Sequence, residues 1–249
     1  MDVAYDVAKL VLRAPLTYGM RWTIDGAHTI PVRGPVILAS NHVSYLDPLM
    51  LAFVANQRHR RVRFLAKAEL FDKQPLAFLL RQAGQIPVLR GSRSAAGSLD
   101  AAVEALRRGE CLAVFPEGTI SLDLEPMVGK SGTARLAAIS GVPVWPIGLW
   151  GAHRILFKGR KPDWKRGVAE VAVVGDPIHV APDDDVHQST DRLMSGIAGC
   201  VRRARELYPQ SPELGEDDWW VRRPETAVLR PRARNDRSAQ EARDARSSA

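Results

Sequence analysis

Residues 111–115, Cys-Leu-Ala-Val-Phe, are apolar at every position. A strand with one wet face alternates apolar and polar side chains, whereas a strand covered on both faces has no reason to. This run therefore belongs inside a sheet with layers on either side. Residues 35–39, 61–65, 85–89, 142–150 and 168–174 also read as strands. Pro87 has no N–H to give a ladder, which puts the third of these at an edge or a strand end. Helical spacing fills the intervals at 48–56, around 76–81, 95–108, 133–140 and 186–207. Gly109 and Gly141 stand where a left-handed cap ends a helix. In the last helix Leu193, Ile197, Val201 and Ala204 share one side. The alternation predicts an α/β fold, a mostly parallel central sheet flanked by helices on both faces. A chain of 249 residues that is 45% hydrophobic can bury such a core without disulfides. Its two cysteines, Cys111 and Cys200, sit in an apolar run and a helical pattern, as reduced buried thiols would. No Cys/His cluster has zinc-ligand spacing, so no metal site is expected.

The two ends read differently from the middle. Asp2, Asp6, Lys9 and Arg13 fall on one side of a helix over residues 2–14, and Val3, Val7, Leu10, Val11 and Ala14 on the other. Pro15 ends or kinks it. Two readings stand for residues 1–20: a helix lying in a lipid interface, or one packed on the protein's own core. No apolar run reaches the roughly 20 residues a membrane span needs, and charges interrupt any signal-peptide pattern. The expected location is cytosolic or peripheral, at the cytoplasmic face of a membrane. Residues 21–208 form the folded domain. From Pro209 to residue 249 the pattern fails, and the sequence predicts a largely disordered basic tail with Trp219 and Trp220 as its anchor. From Arg222 onward eight arginines face four acids, so four of the seven excess positive charges lie in that tail. A basic balance fits anionic lipid, phosphorylated substrates or nucleic acid without choosing among them.

Two segments carry chemistry. Asn41-His-Val-Ser-Tyr-Leu-Asp47 follows a predicted strand, and Pro48 opens a predicted helix. Reactive groups in an α/β sheet gather beyond the carboxyl ends of its strands. An imidazole at His42 there can take a proton from a hydroxyl, and a carboxylate at Asp47 can fix its tautomer and stabilise the imidazolium. On a regular helix five positions would separate the two, so the pair needs a turn between strand and helix. Asp47 before Pro48 also reads as a plain helix N-cap, with His42 an ordinary loop residue. The second segment is Phe115-Pro-Glu-Gly-Thr119, again at the end of an apolar strand. It reads as a turn offering Glu117, Thr119 and backbone amides to a cleft, or as a tight turn with solvated polar groups.

These residues resemble a known family. Asn41 to Asp47 is similar to the NHxxxxD signature of the glycerolipid acyltransferases, and Phe115 to Thr119 to their FPEGT signature, in the same order. Gly84-Gln-Ile-Pro-Val-Leu-Arg90 resembles the block between them, Val142-Pro-Val-Trp-Pro-Ile147 the fourth, apolar block, and Lys130-Ser-Gly132 the Lys-x-Gly after FPEGT. The likeness covers about residues 1–205 and points to the 1-acyl-glycerol-3-phosphate acyltransferases. It implies that His42 is the general base on the acceptor hydroxyl and that Asp47 orients it. Arg90 would hold the acceptor's phosphate, with Lys67 as a second candidate, while Glu117, Gly118 and Thr119 position its glycerol part. The acyl group would pass from acyl-coenzyme A or acyl carrier protein to lysophosphatidic acid, giving phosphatidic acid without an acyl-enzyme or a bound cofactor. The implied partners are an anionic phospholipid membrane, a lysophospholipid acceptor and the acyl donor. Pro87-Val88 departs from the bulkier pair of many members.

Other chemistries fit less well. Gly129-Lys130-Ser131 resembles the end of a phosphate-binding loop, but position 124 is leucine where that loop requires glycine. No Gly-x-Ser-x-Gly elbow is present, which leaves Ser44 as the one serine near a histidine in the motif. Two rivals remain: the same chemistry on another lysolipid or lipid alcohol, and a non-catalytic membrane or nucleic-acid binder using the arginine tail, nucleic acid being the weaker partner.

Overall fold

The computed structural model describes residues 19–221 apart from 73, 75, 83 and 89–93. Seven strands form one sheet: β1 Met20–Asp25, β2 Val36–Ser40, β3 Val62–Lys67, β4 Ile86–Val88, β5 Cys111–Val114, β6 Val144–Trp150 and β7 Val168–Val174. Five helices accompany them: α1 Asp47–Asn56, α2 Leu76–Gln82, α3 Ser94–Arg107, α4 Gly132–Ser140 and α5 Val186–Glu206. The strand order is β1-β7-β6-β2-β5-β3-β4. All neighbours run parallel except β6 and β7. The mostly parallel α/β fold expected from the alternation is the one observed, and β4, with its proline, is an edge strand.

Side chains of successive strand residues go to opposite cores. On one face Ile37, Ala39, Leu112 and Val114 pack with Leu106 of α3, Ala137 of α4 and Leu193 and Ile197 of α5. On the other Val36, Leu38, Ala113 and Ile147 pack with Met50, Leu51 and Val54 of α1. Two cores explain why β5 has no polar position. Each large aliphatic side chain buried this way contributes about 1.5–3 kcal/mol. The helix α5 crosses β6 so closely that a Cβ on Gly148 would lie 2.3 Å from the Cys200 carbonyl carbon. Asp185 caps α5, its side chain accepting from the His187 and Gln188 amides.

β1 was not expected from the sequence. It pairs with β7 from Met20↔Val168 to Asp25↔Val173, and it shows polar and half-exposed positions instead of an apolar run. The tail boundary at residue 209 also moves. Gln210 accepts from the Ala169 amide and donates to the Gly167 carbonyl, and Trp220 is buried beneath the Arg154 guanidinium, 3.7 Å from its ring centre. Residues 209–221 are therefore a strap on the folded body, fastened by side chains that leave no periodic mark. The amphipathic helix expected over residues 2–14, the arginine tail from residue 222 and Arg90 lie outside the described residues.

Candidate active site

β2 sits near the middle of the sheet between β6 and β5, so its carboxyl end opens at the centre of the sheet edge where reactive groups of an α/β fold gather. The ladder with β6 reaches Ser40↔Ile147. Asn41 then continues the pairing with its side chain, its amide donating to the Leu149 carbonyl at 3.1 Å and accepting the Leu149 N–H at 2.8 Å. The backbone is thereby released from the sheet one residue before His42, while its departure point stays fixed.

The turn that the pair requires is present. The Asp47 amide donates to the Ser44 carbonyl at 3.2 Å, and α1 begins at Asp47 with Pro48 in its first turn. The N-cap position belongs to Leu46, which makes no side-chain cap. Asp47 instead points back over the loop. Its Oδ2 accepts from His42 Nδ1 at 2.9 Å, from the Val43 amide at 2.6 Å and from the Ser44 amide at 2.7 Å. The carboxylate is fully buried, whereas the imidazole keeps 18% exposure and stacks on Phe115 at 4.3 Å between ring centres. With Nδ1 donating to an acceptor-only carboxylate, the lone pair falls on Nε2, the nitrogen a base needs free.

Ser44 is no nucleophile. It is buried, and its hydroxyl donates to the carbonyls of Leu156 at 2.7 Å and Ala152 at 3.2 Å while accepting the Leu46 amide. These bonds lace the His42 loop to the loop after β6.

The Phe115–Gly118 turn closes with the Gly118 amide on the Phe115 carbonyl at 2.9 Å. Glu117 does not face open solvent. It is 1% exposed, and its carboxylate accepts from the His42 amide at 2.9 Å and the Met127 amide at 3.1 Å. It fixes the backbone of His42 from the end of the neighbouring strand. Gly118 has φ +70°, and a Cβ there would lie 2.8 Å from Lys130 Nζ, so this ammonium sits directly over the turn. Thr119 follows, half-buried. Lys67 closes β3 at the same end of the sheet, and its side chain lies outside what the structure describes.

One acid had no sequence motif to announce it. Glu170 is the lone charge in the otherwise apolar β7 and is fully buried. Its Oε2 accepts the Ala152 amide at 2.5 Å, and burial, reinforced by the charge of Asp47, raises its pKa well above the usual carboxylate value. A carboxyl group in otherwise unbroken Val and Ala was the available signal. His153 is buried too, pushed down to about 3 by burial, and lies 3.3 Å from the Trp220 carbonyl. Cys111 and Cys200 are free, with burial pushing their thiols up to about 12 and about 11.

Comparison with known proteins agrees with this arrangement. A family described as acyltransferase matches residues 21–150. A 1-acyl-sn-glycerol-3-phosphate acyltransferase from Bacillus subtilis is 25% identical over 186 residues, 74% of this chain and 87% of that protein. The chloroplastic LPAT1 of Arabidopsis thaliana, of the same name class, is 29% identical over 180 residues, 72% of this chain and 49% of that protein. The chain spans about half the length of several curated relatives it matches, the Arabidopsis protein among them. The crystal structure of the 1-acyl-sn-glycerophosphate acyltransferase PlsC from Thermotoga maritima superposes with a TM-score of 0.64 at 27% identity, covering 85% of this chain and 82% of that one. The fold, the order of the motifs and the matched segment converge: this chain belongs to the acyltransferase family.

Proposed function

We propose that the protein transfers a fatty acyl group from a thioester donor to the free hydroxyl of lysophosphatidic acid, yielding phosphatidic acid. The observation that carries this reading is the 2.9 Å contact between His42 Nδ1 and a fully buried Asp47 at the carboxyl end of β2. His42 Nε2 takes the hydroxyl proton as the acceptor oxygen attacks the thioester carbonyl carbon. The tetrahedral intermediate collapses by breaking the carbon–sulfur bond, and the departing thiolate takes the proton back from the imidazolium. Asp47 stabilises that imidazolium during the cycle. No acyl-enzyme forms. General-base help of this kind is worth about 10²–10⁴-fold, and holding both substrates in place supplies more.

Arg90, with Lys67 as a second cation, is assigned to the acceptor phosphate, for which a guanidinium fork is well shaped. Gly118 and Thr119 border the glycerol part. Glu117 is assigned a different part from the one its motif implies: it holds the His42 backbone, because its carboxylate is already bound to two backbone amides. Acyl-coenzyme A or acyl carrier protein serves as donor. Work takes place peripherally at the cytoplasmic face of a membrane; no helix among the described residues is long and apolar enough to cross one, and the two thiols are unpaired.

The test is purified protein incubated with lysophosphatidic acid and labelled acyl-coenzyme A. Labelled phosphatidic acid is expected, and His42→Ala abolishes it. Folded protein that acylates no lysolipid would overturn the reading; transfer to a different lipid alcohol would move the acceptor and keep the chemistry.

A further inference from the structure

The loop between β6 and β7 carries a feature that acyl transfer does not use. Residues 158–166, Lys-Gly-Arg-Lys-Pro-Asp-Trp-Lys-Arg, hold five bases against one acid. Trp164 is 69% exposed at its centre. A tryptophan in a mobile loop could be exposed by accident, but this loop is fastened. The Asp163 amide donates to the Ile155 carbonyl at 2.9 Å. Arg160 pairs with Asp217 and lies over the Trp219 ring at 4.3 Å, and Phe157 packs on the same tryptophan. Lys165 reaches Glu216 at 4.0 Å. Among the described residues Lys158, Lys161 and Arg166 form no ion pair. The result is a fixed loop presenting one large apolar ring inside a collar of unneutralised cations.

Its position gives the feature meaning. β7 runs antiparallel to β6, with Trp150 opposite Val171, so the 151–167 connection lies at the end of the sheet where β2 releases His42. Tyr45, in the His42 loop itself, is 54% exposed, and its amide donates to the Leu156 carbonyl. The Gly167 amide donates to the Gly19 carbonyl at 2.7 Å. Gly19, where the described residues begin, therefore lies beside this loop. Exposed aromatics and unpaired bases share the edge that holds His42 and Asp47.

We infer that the 158–166 loop is a docking surface for an anionic bilayer, with Trp164 seated at the headgroup level and Lys158, Lys161 and Arg166 facing the lipid charges. Tryptophan prefers the membrane–water boundary because one part of its ring is apolar and one part donates a hydrogen bond. Bases near an anionic surface are attracted within about a Debye length. The edge of the sheet then faces the bilayer, and a lipid acceptor can reach His42 without leaving the interface. This deepens the proposed function, since it rests on the acceptor being a lipid.

The experiment is flotation of the full chain with vesicles of phosphatidylcholine alone, or of equimolar phosphatidylcholine and phosphatidylglycerol. Lys161→Glu with Arg166→Glu is expected to weaken partitioning about tenfold or more on the mixed vesicles and little on the neutral ones. Trp164→Ala lowers partitioning severalfold on the mixed vesicles, and Trp164→Phe retains most of it. Thermal melting of all three stays at the parent value, because the changed side chains are exposed. Unaltered flotation of the charge-reversed and Trp164→Ala proteins would overturn the inference. So would unaltered flotation with a raised KM for acyl-coenzyme A, which would make the loop a donor-phosphate site, or loss of flotation by Trp164→Phe as complete as by Trp164→Ala. The two claims fail separately: a protein that floats and transfers no acyl group sinks the function, and one that acylates dispersed lysophosphatidic acid yet ignores vesicles sinks the docking surface.

Discussion

Glu117→Gln separates a residue that touches substrate from one that holds the base. The carboxylate now accepts two amides, those of His42 at 2.9 Å and Met127 at 3.1 Å, in a site 1% exposed. A glutamine keeps the shape but has a single acceptor oxygen. One amide then faces an NH₂ group, which costs about 1–3 kcal/mol for a buried unsatisfied donor. The other bond changes from charge-assisted to neutral, at roughly 1 kcal/mol. Relief from burying a negative charge offsets part of this, leaving a net loss of about 1–3 kcal/mol. For a domain of this size that lowers Tm by about 3–10 °C. The freed amide belongs to His42, the proposed base, and a displacement on the order of 1 Å there would cost about 10²-fold in rate. The assay is a thermal melt beside steady-state kinetics with lysophosphatidic acid varied. Lower Tm and lower kcat with acceptor KM within about threefold are expected. An unchanged Tm with a KM raised tenfold would place the carboxylate on the substrate and refute the argument.

Asp47→Asn removes the charge that stabilises the imidazolium and the demand for an Nδ1 proton. It should reduce kcat by about 10²–10⁴-fold, read by radiolabel transfer, with little change in either KM. Glu170 supplies a pH test. Its folded pKa is raised above the ordinary 4.5, so the folded state holds a proton that the unfolded state releases. That group's contribution is lost as pH rises above about 4.5, with a slope of at most about 1.4 kcal/mol per pH unit until the folded carboxyl itself ionises. Glu170→Gln cannot titrate, so its stability relative to the parent should increase over this window in melts taken from pH 4 upward; a constant difference would show that the carboxyl is not held neutral. Cys111 and Cys200, at about 12 and about 11, should react with a thiol reagent at pH 8 only on unfolding, measured by absorbance with and without denaturant. Trp220→Ala should lower Tm and kcat together, since it removes the ring under Arg154 and loosens the loop that accepts the Ser44 hydroxyl.

The strands buried on both faces were legible because burial disfavours polar residues: β5 stands out as an unbroken apolar run and β7 as one interrupted only by Glu170. β1 was not, because an edge strand with exposed positions such as Arg21 and Asp25 writes no such run, and its partner lies far along the chain. The reversal of β7 against β6 is set by the path of residues 151–167, which carries no periodicity. At the site, the position of His42 and Asp47 beyond a strand end was readable, but the local pattern left their pairing open beside an N-cap reading of Asp47. The choice between them came from the motif's resemblance to a family signature. Glu117 was readable as a residue of interest but not as a brace, since a Pro-Glu-Gly turn can aim its carboxylate outward or inward and only the amides of His42 and Met127 decide. In the strap over 209–221 only the anchoring residues Trp219 and Trp220 were legible; the rest of its hold depends on Arg154, Arg160 and Gln210 meeting particular partners, which composition does not encode.

That strap makes damage near the carboxyl terminus hard to recognise for what it is. Ser44 anchors one end of the post-β6 loop beside His42 and Asp47, and Asp217, Trp219 and Trp220 anchor the other. A lesion at any of these three would slacken the histidine's support from behind. A chain shortened to residue 208 would keep every strand and helix described above yet lack the brace, and any loss of activity would be mistaken for a fault in the chemistry.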